Sequence, residues 1–227
     1  MSTPPINYAE QIAKGCKQLN LPYAANDNIA AVLLPGDLEG IEKQVEEACH
    51  GLLRALVIDT KNDHNTQGTA KRMAKMFIHE VFRGRYEKMP DLKDFPNAKN
   101  LDEIYVVGPV TVRSACSHHF VPIMGKAWVG ILPGERVVGL SKFARLANWI
   151  FRRPQIQEES TIQLADLLEE VIKPKGLALI VDAQHMCMSW RGVEEPCTSM
   201  TTSVMRGTFL DNPATKAEFL SLIKLNK

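Results

Sequence analysis

Residues 177–189, Leu-Ala-Leu-Ile-Val-Asp-Ala-Gln-His-Met-Cys-Met-Ser, read as one strand, apolar and β-branched at its start and carrying a histidine and a cysteine near its end. On a strand, side chains two apart share a face, so the pattern predicts that His185 and Cys187 point together while Met186 points away. Ser199 to Phe209 reads as a following strand. Upstream, Lys173-Pro174-Lys175-Gly176 ends a predicted helix over 161–172, and Ser141 is placed to cap another over 142–152. Before these, the turn Pro133-Gly134-Glu135 closes a strand over 126–132, and Ile104, Val106 and the Val110–Val112 region mark one more. Two strands, two helices and two strands define an α+β unit.

Further upstream, Met89 to Asn100 is charged, contains prolines and reads as a loop. A helix should open with Thr69 as N-cap, carry Met73, Phe77 and Val81 inward and stop at Gly84. Another begins at Leu38, with Ile41, Val45, Ala48, Leu52 and Leu56 as its apolar stripe. Residues 1–37, with Pro4, Pro5, Pro22 and Pro35, read as a variable arm holding at most one short helix. The expected division is therefore an arm at 1–37, a helical region at 38–100 and an α+β domain at 101–227.

Lys and Arg total 27 against 26 for Asp and Glu, so no net field would hold a nucleic acid or an anionic membrane, and any anion site must be local. No leader pattern and no apolar run near the ~20 residues of a spanning helix is present, which sets the expectation of a soluble, cytoplasmic protein. Five scattered cysteines, Cys16, Cys49, Cys116, Cys187 and Cys197, do not form the framework of a disulfide-rich domain.

Two of those cysteines sit among histidines. Cys116-Ser117-His118-His119 sets a thiolate and imidazoles within one turn, at a C-x-x-H spacing whose ends can reach a common tetrahedral ion. His185-Met186-Cys187 is a second such group. A lone cysteine in a strand is ordinarily a small buried hydrophobe, but five of the chain's eleven Cys and His residues fall in these two short segments. Gly139-Leu140-Ser141-Lys142 leads into a helix start that favours an anion, with Arg145 three residues beyond Lys142 and Arg191 a third cation. Taken alone, those cations read more readily as a solvated basic stripe. Gln155-Ile156-Gln157-Glu158 offers an amide and a carboxylate that could read a purine edge, or simply complement a helix dipole.

C-x-H-H at 116–119, G-L-S-K-x-x-R at 139–145, R-P-Q-x-Q-E at 153–158, H-x-C-x-x-x-R-G at 185–192 and T-T-x-x-x-x-G-x-F at 201–209 together resemble GTP cyclohydrolase I, in order and separation, from about Thr69 to about Phe219. The resemblance implies a tunnelling fold whose subunits pool their sheets in a barrel, assembled as a homodecamer of two pentamers with active sites between neighbours. It implies zinc held by Cys116, His119 and Cys187, three ligands that leave a position for water. It gives His118 and His185 as proton-transfer groups, Ser141, Lys142, Arg145 and Arg191 as ribose and triphosphate contacts, and Gln157 and Glu158 as readers of the base. The implied reaction converts GTP to 7,8-dihydroneopterin triphosphate and formate.

Departures from the family pattern are Ser117 in place of the usual Glu, Thr69-Ala70-Lys71-Arg72 where Pro-His or Pro-Trp often precedes Arg, and Glu159-Ser160-Thr161 in place of Arg-Leu-Thr. None is a metal ligand. The rival readings are another tunnelling-fold enzyme, such as a nitrile reductase or pterin synthase, and a non-catalytic member. Cys197, beside Pro196, reads as a free thiol in a turn rather than a fourth ligand, which would close the site.

Overall fold

The structure is a computed structural model that describes residues 6–224, so Pro4 and Pro5 of the arm lie outside the described residues. The chain divides into two compact units, Met1–Lys88 and Met89–Lys227.

In the first unit, α1 (Tyr8–Gln18) opens on Asn7, whose side chain accepts from the Glu10 amide, and buries Ile12 and Cys16 one turn apart against Ile29. A single 3-10 turn, Ala30–Val32, leads to α2 (Asp37–Ala55). Asp37 is buried and accepts from the Leu34 amide at 2.9 Å and from the Gln11 side chain at 3.0 Å, tying α1 to α2. The buried row of α2 is Cys49 and Leu53, packed with Val45 on Ala70, whereas Leu52 and Leu56 of the expected stripe are 49% and 61% exposed. The row through 45, 49 and 53 shares Val45 with the expected stripe and then runs one position round from Ala48 and Leu52, its small cysteine lying close to Ala70 of the next helix.

The next helix is α3 (Thr69–Lys75), which continues through a π segment, Met76–Val81, into the single turn α4 (Arg83–Tyr86). Gly68, not Thr69, is the cap residue, with no side-chain cap bond, and Gly84 lies buried within α4 instead of ending the helix. Ala70, Ala74, Ile78 and Phe82 are buried; of the expected row Met73 packs, partly buried, against Cys49, Leu53 and Ala70, and Phe77 and Val81 are partly buried. In the π segment the Phe82 amide donates to the Phe77 carbonyl five residues back, and the two rings stack at 5.2 Å.

The second unit is built on a five-stranded sheet. β1 (Asp94–Pro96), inside the stretch read as a loop, pairs with the distant Arg136–Val138. Then follow β2 (Tyr105–Cys116), β3 (Pro122–Leu132), β4 (Arg136–Val138), α5 (Leu140–Phe151), β5 (Pro154–Gln155), α6 (Gln157–Ile172), β6 (Gly176–His185), α7 (Met186–Ser189), β7 (Ser199–Gly207), α8 (Thr208–Asp211) and α9 (Pro213–Lys224). The long strands β2 and β3 precede α5 and α6, and β6 and β7 follow them, while the short β4 and β5, the turns α7 and α8 and a terminal helix α9 as long as α5 depart from the expected order. The sheet order is β5-β2-β3-β6-β7, antiparallel throughout except for the two-residue β5 beside β2. The architecture is thus α+β with an antiparallel sheet.

Alternation assigns the two faces. Ala127, Val129 and Ile131 of β3, with Leu177, Leu179 and Val181 of β6, pack under Phe143, Leu146 and Ile150 of α5 and Leu164 and Leu168 of α6. Trp128 and Ala178 point the other way and are covered by Phe209, Phe219 and Ile223. Pro109 sits in β2 where the register to β3 slips between Val107 and Val110, an irregularity that spares the ladder a missing donor. No helix among the described residues is long and apolar enough to cross a membrane.

Candidate functional site

The site residues gather where the long strands end. β2 stops at Cys116, and the turn to β3 is closed by the Cys116 carbonyl, which accepts from the His119 and Phe120 amides at 3.3 and 2.8 Å. The Cys116 amide donates to the Val121 carbonyl at 2.9 Å, and the Ser117 amide to Gln155 at 3.0 Å. This leaves Cys116 buried and His118 and His119 exposed on the turn. The register pairs Ile123 of β3 with His185 of β6, so the end of β6 arrives beside the same turn.

At that point the structure departs from the sequence reading. β6 ends at His185, and Met186–Ser189 forms the helical turn α7, so His185 and Cys187 do not share a strand face. Four residues of mixed apolar character fit a strand or a helical turn equally. The helical turn carries Cys187 against the cluster of Cys116, Ile123 and Ala183. Burial pushes the Cys187 thiol up, the neighbouring Cys116 adds to this, and Arg191 opposes it.

His119 completes no triad with the two sulfurs. Its Nε2 accepts from Arg191 Nη1 at 3.0 Å. Among the described residues no group of three or more His, Cys, Asp or Glu side chains stands close enough to hold a metal ion. The two soft donors are together, and the third, an imidazole on the adjacent turn, has its lone pair engaged by a guanidinium. Two thiols and an imidazole are, as residue types, a donor set suited to zinc.

His185 is half-buried and its Nε2 meets Gln157 Oε1 at 2.7 Å. Burial lowers its basicity and Glu158 acts in the opposite sense. α6 begins at Gln157, so Gln157 and Glu158 belong to its first turn and do not precede it. Gln157 is buried and Glu158 exposed. The Gln157 amide nitrogen donates to the Val181 carbonyl at 3.2 Å, the Met200 carbonyl at 2.8 Å and Thr202 Oγ1 at 3.2 Å. The hydroxyls of Thr161 and Thr202 meet at 2.8 Å beneath it. Neither threonine was assigned a role from sequence, although Thr202 belongs to the T-T-x-x-x-x-G-x-F segment that marked it.

The cations are spread more widely. Lys142, in the first turn of α5, donates to the Asp91 carbonyl at 3.0 Å. Gly139 is the cap residue of α5 and Ser141 makes no cap bond. Ser141 and Arg145 are exposed on the same helix, while Arg191 lies with the cysteine pair.

A family model described as GTP cyclohydrolase I matches residues 45–224 of the chain. Curated relatives named GTP cyclohydrolase 1 include those of Flavobacterium johnsoniae, 38% identical over 84% of this chain and 84% of its own length, and of Halalkalibacterium halodurans, 40% identical over 80% and 96%. That of Bacillus subtilis is 39% identical over 81% of this chain and 96% of its own. A match over most of the chain, with the cysteine pair and both histidine segments inside it, settles the kinship: the chain belongs to the GTP cyclohydrolase I family.

Proposed function

We propose that the protein is a zinc-dependent GTP cyclohydrolase I, converting GTP and water to 7,8-dihydroneopterin triphosphate and formate in the cytoplasm as the first step of a pterin or folate-type pathway. The observation that carries this reading is the Cys116–Cys187 pair at the sheet end, with His118, His119 and His185 on the same turn and strand end. Cys116, His119 and Cys187 would hold the ion, His119 on release from Arg191. Bound zinc supplies Lewis acidity for the addition of water to the purine ring at C8.

The chain's own groups account for the rest. His118, exposed beside Cys116, is the donor to the ring nitrogen, and His185 moves protons in the later steps, a common role of imidazoles. Lys142, Arg145, Arg191 and Ser141 take the triphosphate and ribose, the helix start of α5 adding its dipole. Glu158 accepts from adjacent donors of the guanine edge. For assembly the reading is a tunnelling fold in a decamer of two pentamers. β7 has no sheet partner on its outer side among the described residues, and β2 is covered by only two residues of β5, so both edges are open to a neighbouring copy.

Incubation of purified protein with GTP, with and without a chelator, tests the reading. Formate and the fluorescence of oxidised neopterin should appear, stop on metal removal and return with zinc, while Cys187→Ala should retain less zinc than the parent. Zinc-loaded protein that leaves GTP intact would refute it, as would turnover indifferent to the chelator. Formate release also separates this reading from a nitrile reductase or pterin synthase.

A further inference from the structure

We propose that Gln157 is a positioning residue that fixes His185 in its Nε2–H tautomer, with the ring lone pair on Nδ1. The proposal deepens the function above and rests on it for the role of His185; it also removes Gln157 from the groups that read the base.

The assignment follows from hydrogen-bond direction alone. The carbonyls of Val181 and Met200 can only accept, so the Gln157 atom 3.2 and 2.8 Å from them is the amide nitrogen. Flipping the amide would set its oxygen against both carbonyls in a buried site, an arrangement with no hydrogen and three repelling dipoles. The threonines agree. Thr161 Oγ1 spends its one proton on the Gln157 backbone carbonyl at 2.7 Å, so Thr202 must donate in the 2.8 Å contact between the hydroxyls. Thr202 Oγ1 is then left to accept from the same amide nitrogen. Three acceptors therefore face the nitrogen, and the oxygen is the atom 2.7 Å from His185 Nε2. An amide oxygen cannot donate, so in the neutral ring the hydrogen resides on Nε2 and the lone pair on Nδ1.

Gln157 is also poorly placed to contact a purine through its side chain. It is only 3% exposed, and both ends of its amide are committed within the protein. Glu158, next in the chain and exposed, has no such commitments and remains the base-reading group.

Long-range proton–nitrogen correlation spectra of the zinc-loaded, histidine-labelled full-length protein, recorded without GTP and with His185 identified by its loss in His185→Gln, read the tautomer directly. A pyrrole-type Nε2 and a pyridine-type Nδ1 are expected; the reverse assignment overturns the proposal. This measurement needs no turnover, so its failure is distinct from failure of the GTP reaction. In Gln157→Met the two tautomers should mix, and kcat for formate release should fall by about 10-fold or more while KM for GTP stays within about 2-fold. A raised KM with unchanged kcat would return Gln157 to base recognition and sink the proposal.

Discussion

The C-terminal helix is keyed to the sheet through one glycine, and that contact yields a quantitative prediction. Phe219 of α9 is fully buried, meets Phe209 edge-on at 5.6 Å, and lies over Gly130 of β3, where an added Cβ would stand 2.5 Å from Cδ2 and 2.7 Å from Cε2 of the ring. Phe219→Ala removes a whole buried ring and should cost about 3–5 kcal/mol. Gly130→Ala overpacks the same spot and should cost about 1–3 kcal/mol. Independent effects would sum to about 4–8 kcal/mol, but without the ring the new methyl group has space, so the double variant should lose only about 3–5 kcal/mol. Denaturant unfolding of all four proteins at one protomer concentration measures the coupling. Hydrogen exchange should show α9 losing protection in Phe219→Ala, since its other buried residue is Ile223 alone and a twelve-residue helix is marginal in isolation. Strict additivity, or full protection of α9 in Phe219→Ala, would refute the reasoning.

Glu158→Gln should abolish turnover or raise KM for GTP, yet stay within about 0.5 kcal/mol in stability because the side chain is exposed; unchanged GTP kinetics would remove it from base recognition. Arg206 bonds Glu169 at 2.6 Å and pairs with Asp166 across α6 and β7, with the two carboxylate side chains 44% and 56% exposed; Arg206→Met should cost only about 1 kcal/mol, less in high salt, by denaturant midpoint. Burial pushes the Tyr105 phenol up to about 12, so the folded state holds its proton more tightly than the unfolded chain. Its contribution is therefore complete below the ordinary value of 10.0 and is lost as pH rises toward about 12, and Tyr105→Phe should delete that late step from the ultraviolet titration.

The long strands were legible because β-branched residues and turn signals survive in the sequence: β3 closes on Pro133-Gly134 and β6 opens after Pro174. Helix phase was harder. Reading the bulkiest apolar row as the inward one placed Leu52 and Leu56 in the core, whereas small residues, Cys49, Ala70 and Ala74, make the close contacts there. The π segment then moves Phe77 off the row a regular helix would give it, and no composition signal marks that extra residue. β1 and β4 have three residues each, too few to show a period, and they pair some forty positions apart.

The same limit governs the site. The two cysteine–histidine segments could be found because each is a local pattern, and the sheet register joins them: pairing Ile123 with His185 fixes where β6 must end relative to the turn after Cys116. What each imidazole does is decided by bonds that have no local pattern. His119 is engaged by Arg191, seventy-two residues away, and His185 by Gln157, twenty-eight away. Both partners had been read as substrate contacts, since a cation and an amide beside a motif look alike whether they face a ligand or the protein. Burial separates them here. Arg191 is exposed, so its guanidinium can leave His119 for an anion at the cost of one exposed hydrogen bond. Gln157 is enclosed by two carbonyls and a hydroxyl, so leaving His185 would strand buried polar groups at about 1–3 kcal/mol each. One histidine is thus held by a contact that a ligand can displace, and the other by one that is fixed before any ligand arrives.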